Sequence, residues 1–371
     1  MINMRENLNR RIVKILLPVA CWLSATFVYA LSSDTLSLFF VGDIMQHQTQ
    51  INAARVSSGG YDYKECFSYV APEIKRADLA IGNLECPLGG KPYRGYPSFS
   101  APDDFLYAIR DAGFDVMLFS NNHCLDRGSR GACRTITLMD SLKMKHTGVF
   151  RDTMERENRY PLLVERKGFR IVFLNYTYGT NGLKPKPPCV VNYIDRQQIQ
   201  KDVIKAKEMR PDVIIACIHW GIEYQLRPRK EEKDLARWLL DLGVDHVIGS
   251  HPHVVQPVEV LPDSFSLRRH VVAYSLGNFV SNMSSPHTDG GMALRLVLKK
   301  VGGFTRMISG DYTFLWVSRP IVNGKGQFVI YPTKIEDNIL NDREKSLHRQ
   351  YLKNVRSVVE KYSKNIKEYF F

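Results

Sequence analysis

Along this chain, short apolar runs end again and again in a polar cluster. Leu36–Val41 runs into Gly42-Asp43, Leu79–Ile81 into Gly82-Asn83-Leu84-Glu85, and Val116–Phe119 into Ser120-Asn121-Asn122-His123. The second half repeats the arrangement. Val213–Ile218 runs into His219-Trp220-Gly221, His246–Ile248 into Gly249-Ser250-His251-Pro252-His253, and Val271–Tyr274 into Ser275-Leu276-Gly277-Asn278-Phe279. Runs this short and continuous predict strands buried on both faces. Between them Asp103–Ala112, Gly131–Lys143, Asp195–Met209 and Glu231–Leu242 predict helices; the last sets Leu235, Trp238, Leu239 and Leu242 at helical spacing. Strands alternating with helices define α/β layers, in which ligands bind at strand C-terminal ends. Each polar cluster follows its strand, so the topology gathers distant residues onto one edge.

The N-terminus bears on compartment. Arg5, Arg10, Arg11 and Lys14 precede Ile15–Ala30, an apolar run broken only by Pro18, Ser24 and Thr26, and Val28-Tyr29-Ala30 is an acceptable cleavage sequence. Residues 1–31 are expected to be a signal peptide or a short N-terminal membrane anchor. Residues 32–340 then form the main domain, and 341–371 a basic helical tail, docked as a solvated helix. Export would leave the domain periplasmic, at the cell surface or membrane-anchored. The formal net charge of +13 over 371 residues favours anionic partners. Export sets nucleic acid aside and favours extracellular polyanions. The cysteines, Cys21 among them in the leader, fit no zinc ribbon and no CxxC pair.

Singly, the polar residues have ordinary readings: Asp43 a turn or N-cap residue, Glu85 a solvated carboxylate, Asn122 a turn residue, His219 and His251 hydrogen-bonded histidines. Together Asp43, Glu85, Asn122, His219, His251 and His253 make an N/O ligand set suited to Mn, Fe or Zn, one or two ions per chain. Pro252 biases His251 towards extended backbone, which points residues two apart to one face and lets both imidazoles address a single metal centre or two adjacent ions. Gly42, Gly82 and Gly249 let the backbone turn sharply and approach closely. Glu223 and Tyr224, in a loop after Gly221, are expected to line the pocket as substrate contacts or supports. The loop Asn181–Cys189, with Pro185, Pro187 and Pro188, is expected at the site's edge.

From Leu36 to Phe279 this ordered series of motifs resembles the CapA family of poly-γ-glutamate capsule biosynthesis proteins, themselves similar to calcineurin-like metallophosphoesterases. The resemblance implies a metallophosphoesterase-like β-sandwich flanked by helices, in αββα layers, with metals at one edge. Carried over by motif, Asp43 binds a first metal, Glu85 bridges, Asn122, His219 and His251 bind a second, and His253 returns to the first. His123 is no ligand; it stabilises charge or protonates a leaving group. The related enzymes have Asp-x-His in the first motif, where this chain has Met45. His47 is nearby but does not substitute. The first site is then weak, empty, or completed by Asn83 or water, whereas a two-metal mechanism needs ions roughly 3.5–4 Å apart. Asn278 joins the residues expected around the pocket. Three functions follow: an accessory protein acting on an anionic polymer or its phosphorylated carrier, alongside a membrane-bound polymer synthase, with a hydrolase-like metal site; a secreted metallophosphoesterase unrelated to capsule; or a polymer-binding module with a structural metal.

Overall fold

The computed structural model describes residues 35–262, 269–322, 324–336 and 338–371. The expected leader, 1–31, lies outside them. Strands β1 (Thr35–Ile44), β2 (Leu79–Leu84), β3 (Val116–Leu118) and β4 (Lys145–Thr147) pair in parallel, in that order. A second sheet is built from β5 (Leu162–Arg166), β6 (Phe169–Thr177), β7 (Val213–His219), β8 (His246–Ser250), β9 (Val258–Pro262) and β10 (Arg269–Ala273). Its order is β9-β10-β8-β7-β6-β5, and β6, β7, β8 and β10 run parallel. The first sheet is completed by β11 (Asn278–Val280), β12 (Gly290–Val301), β13 (Phe304–Ser318), β14 (Val329–Pro332) and β15 (Lys367–Glu368). β11 lies beside the end of β1, and β12 lies antiparallel to β1.

The continuous apolar runs have a direct physical cause. Each central strand buries alternate residues in two different cores. Leu36, Leu38 and Phe40 of β1 face the second sheet, while Phe39 and Val41 face the outer helices. In β7, Val213, Ile215 and Cys217 lie between the sheets, while Ile214, Ala216 and Ile218 face outward. A strand covered on both sides needs no polar face. Helices α1 (Asp103–Ala112) and α2 (Gly128–Ser141) cover the first sheet through Phe105, Ile109, Ile136 and Met139. Helices α3 (Arg196–Glu208) and α4 (Lys230–Asp241) cover the second through Ile199, Val203, Leu235 and Leu239. The layers are thus helix, sheet, sheet, helix.

The basic tail forms helix α5 (Asp342–Tyr362), which is docked, and more deeply than a solvated helix. Its start is capped reciprocally, Glu344 N donating to Asn341 Oδ1 (3.0 Å) and Asn341 N to Glu344 Oε2 (3.2 Å). Its apolar stripe, Tyr351, Leu352, Val355 and Val359, belongs to the inter-sheet core, and Tyr351 Oη donates to Gly291 O. Each such side chain stabilises the fold by roughly 1.5–3 kcal/mol. The hairpin β12–β13 also escapes a search for short runs, although Met292, Leu294, Leu296 and Leu298 alternate and all join the inter-sheet core. The six described cysteines are free thiols. Among the described residues no helix is long and apolar enough to cross a membrane.

Register positions the site. Thr177, His219 and Ser250 form one row across the second sheet. Asn278, Asp43 and Asn83 form one row across the first. Glycines allow strands to crowd behind these rows: a Cβ on Gly42 would lie 1.9 Å from Gly277 O, and one on Gly249 2.0 Å from Tyr274 O. Neither glycine has positive φ, so close approach rather than a sharp turn requires them. Gly249→Ala is expected to destabilise the protein by about 1–3 kcal/mol in urea unfolding.

Buried His246 gives a pH prediction. Its Nδ1 accepts from Val271 N, and burial pushes its pKa down to about 3. The folded state holds it neutral while the unfolded chain protonates near 6.5, so its contribution is present above that value and is lost as pH falls. Between pH 7.5 and 5 the wild type should lose about 2 kcal/mol more stability than His246→Asn. Parallel losses in urea titrations would contradict this.

Candidate metal centre

Glu85 sits at the middle of the edge. It follows β2, is fully buried, and neither carboxylate oxygen has a hydrogen-bond partner. Its Oε1 lies 3.7 Å from His219 Nε2 and 3.6 Å from His253 Nε2. Donor atoms of Glu85, His251 and His253 lie within 4.8 Å of one another, and so do those of Asp43, Glu85 and His219. Glu85 is common to both groups. Asp43 Oδ1 accepts from Asn83 Nδ2 (2.8 Å), while its Oδ2 faces His253 Nδ1 (3.2 Å) and accepts from His251 N (3.3 Å). Asn122 Oδ1 lies 2.9 Å from His219 Nε2, and Asn278 Oδ1 lies 3.0 Å from His253 Nδ1. Six segments at the strand ends of two sheets thus meet in one buried cluster.

The His-Pro-His segment is not extended. His251 has φ +100° and His253 φ +58°, both left-handed. Side-chain and backbone bonds override the pre-proline preference: the His251 amide meets Asp43, and Asn278 Nδ2 donates to the His253 carbonyl (3.3 Å). The rings still converge, with centroids 5.9 Å apart. Such backbone costs about 1–3 kcal/mol per residue and persists where surrounding contacts fix it. After His219 the strand gives way to a loop at Gly221, as the sequence predicts. Tyr224 N donates to Pro252 O (2.8 Å), placing the Tyr224 ring 6.5 Å from that of His253. Half-buried Glu223 adds negative charge felt by His253 and Glu85. Asn181, in the proline-rich loop, accepts from Asn122 Nδ2 (3.4 Å).

The residues near the first motif are accounted for. Met45 is buried in the apolar core beneath the helices, so its side chain belongs to packing. His47 packs edge-on against Phe99, and its Nδ1 accepts from Asn282 N (3.2 Å). Burial pushes its pKa down to about 4.

The charges are matched to a cation. Burial and the Asp43 charge push Glu85 well above the ordinary carboxylate range. Burial also drives Asp43 up, but the hydrogen bond and charge of His253, with the Asn83 amide, hold it below its usual value. His253 is lowered by burial and raised more by Asp43, ending above normal. Burial, with the neighbouring histidines, keeps His219 well below normal and His251 at about 3. Without an ion, then, one Asp–His pair lies beside a carboxyl that burial biases towards its protonated form and two imidazoles that burial biases towards neutrality. His251 Nδ1 is also buried without a partner. Unpartnered buried oxygens and a free imidazole nitrogen, all within reach of one another, fit a divalent ion.

Some functional residues lie beyond the sequence reading. Asp126 Oδ2 is 2.8 Å from His123 Nδ1 and also accepts from Phe99 N (2.8 Å). This pairing leaves His123 Nε2 as the nitrogen available for proton exchange, the Phe99 ring closing one side at 4.7 Å. The i,i+3 spacing of His123 and Asp126 was the available signal. Asn121 donates to Asn83 Oδ1 and Leu84 O, tying the His123 loop to β2. Tyr178 packs its ring 4.6 Å from that of His251.

Known proteins resemble this chain in sequence. The family model described as bacterial capsule synthesis protein PGA_cap matches residues 37–283, which include every candidate ligand. Capsule biosynthesis protein CapA of Bacillus anthracis is 28% identical over 320 residues, spanning 79% of this chain and 74% of that protein. PGA biosynthesis protein CapA of Bacillus subtilis is 28% identical over 287 residues, 73% of this chain and 70% of that protein. A probable polyglutamine synthesis accessory protein of Mycobacterium tuberculosis is 23% identical, over 57% of each chain. Among solved structures, the calcineurin-like phosphoesterase YfkN from Bacillus subtilis aligns with a TM-score of 0.43 and 16% identity, over 87% of this chain and 99% of that one. A 5'-nucleotidase from Candida albicans aligns at 0.41 and 11%, over 88% and 58%. At such scores the likeness is one of layout alone. The family model covers most of the chain, and the chain belongs to the bacterial capsule synthesis protein family PGA_cap.

Proposed function

We propose that this chain is an exported component of anionic exopolymer biosynthesis, carrying a metal-dependent, hydrolase-type site that cuts or transfers the polymer beside a membrane-bound synthase. The observation that carries the chemistry is Glu85, a buried carboxylate with two unpartnered oxygens among His219, His251 and His253. Asp43, Glu85 and His253 would hold one divalent ion; Glu85, Asn122, His219 and His251 would hold a second. Such ions supply Lewis-acid polarisation and positive charge opposite a developing anion. His123, oriented by Asp126, protonates the departing group through Nε2. Glu223 and Tyr224 line the entrance. Family membership and relatives named for capsule biosynthesis and for polyglutamine synthesis support the polymer reading, as does the +13 net charge. The basic segment at Arg5–Lys14 and the apolar run after it support export. A second reading, a polymer-binding module with one structural ion, is favoured by Met45, which packs in the core where related enzymes place a ligand.

Elemental analysis separates the two. Two ions per chain, with fewer in both Asp43→Ala and His251→Ala, are expected. One ion, lost in His251→Ala and indifferent to Asp43→Ala, would establish the binding module instead. With manganese, the protein should shorten or transfer a γ-linked polyglutamate and leave an aryl phosphodiester intact. His123→Ala should lower that turnover by about 10²–10⁴ with metal content unchanged. Equal turnover by His123→Ala would remove the proton-donor role.

A further inference from the structure

Three exposed tyrosines stand against the buried histidines of the centre. Tyr96, Tyr178 and Tyr224 are 72%, 47% and 44% exposed, yet each ring meets a buried histidine of the site. Tyr96 lies 6.5 Å from His123, Tyr178 4.6 Å from His251 and 6.2 Å from His219, and Tyr224 6.5 Å from His253. The three come from separate loops, and each loop is tied down. Phe99 N and Ser98 Oγ anchor the Tyr96 loop on Asp126. Asn181 on Asn122 and Lys186 N on Ser129 Oγ anchor the Tyr178 loop. Tyr224 N on Pro252 O and Gln256 Nε2 on Gln225 O anchor the third. Exposed aromatics that cluster around one mouth mark a contact surface, and rings held in place cost little further entropy on binding.

Charge defines the occupant. Arg94 stands two residues from Tyr96, while Lys184 and Lys186 follow Tyr178 on the proline-rich loop. All three are exposed, and none forms an ion pair among the described residues. Elsewhere the cations of this basic chain are often paired, as in Arg134–Asp103, Arg156–Asp202 and Arg295–Asp311. We propose that Tyr96, Tyr178 and Tyr224 form a collar that stacks on the flat amide units of an extended acidic polyamide, while Arg94, Lys184 and Lys186 neutralise its flanking carboxylates. The collar selects a long stretch of chain over a short fragment. This deepens the polymer reading above and rests on it.

The test uses the full chain loaded with manganese and three probes: a long γ-linked polyglutamate, γ-glutamyl dipeptide, and an acidic polysaccharide of similar length. Binding is followed by calorimetry, with metal content measured for every variant. The wild type should prefer the long polyamide to both other probes. Each Tyr→Ala change should weaken long-chain binding about two- to ten-fold at unchanged metal content, and Tyr178→Phe should retain it. Lys184→Ala with Lys186→Ala should flatten the salt dependence without abolishing binding. If the wild type prefers the long polyamide but the Tyr variants bind it as tightly, the collar is refuted and the polymer reading stands. Preference for the polysaccharide would refute the polyamide assignment. Binding of no anionic chain by the wild type would overturn both.

Discussion

A carboxylate buried without a hydrogen-bond partner is the constraint around which the rest of this structure is arranged. Glu85 is out of water, its carboxylate oxygens have no hydrogen-bond partner, and the imidazoles of His219 and His253 and the Asp43 carboxyl stand around it. Burying such a charge alone is costly, and in the absence of an ion the group stays protonated. Bound there, a divalent cation would favour the ionised carboxylate, and His219 and His251, whose pKa values burial lowers, would offer it neutral imidazole nitrogens. The outer contacts are built to the same end. Asn83 and Asn278 flank Asp43 in one register row, and Ser250 Oγ lies 3.0 Å from His219 Nδ1, fixing that ring.

Two packed sheets make this assembly possible. The parallel strands of both sheets end on the same side, so residues more than two hundred positions apart, such as Asp43 and His251, share a hydrogen bond. Asn175 fastens the sheets to each other at that edge. Its Oδ1 accepts from Phe119 N (3.2 Å) and Ser120 N (2.8 Å) on the first sheet, and its Nδ2 donates to Cys217 O (3.0 Å) on the second. The left-handed His251 and His253 are where local preference yields to the site.

Much of this was legible in the sequence, for identifiable reasons. Strands buried on both faces appear as unbroken apolar runs, so β1, β2, β3, β7, β8 and β10 could be read directly, and the polar residue ending each run fell on the common edge. The four helices covering the sheets were legible from spacing, as Leu235 and Leu239 in α4 show. The long hairpin β12–β13 was not, because its alternating pattern differs from the continuous runs sought. Helix α5 has a basic surface that conceals the Tyr351, Leu352, Val355 and Val359 stripe. At the site, residue type and order identified candidate ligands, whereas backbone handedness at His251 and the Asp126 support of His123 depend on tertiary contacts that spacing does not encode.

The most direct test is thermal unfolding of the wild type and Glu85→Gln, each in chelator and in saturating manganese. If Glu85 is a buried charge that only a cation satisfies, manganese at a hundredfold excess over its dissociation constant should stabilise the wild type by about 2.7 kcal/mol. Glu85→Gln should be at least as stable as the wild type in chelator and should gain nothing from the metal. A variant that is less stable in chelator, yet is stabilised by manganese as much as the wild type, would contradict the account.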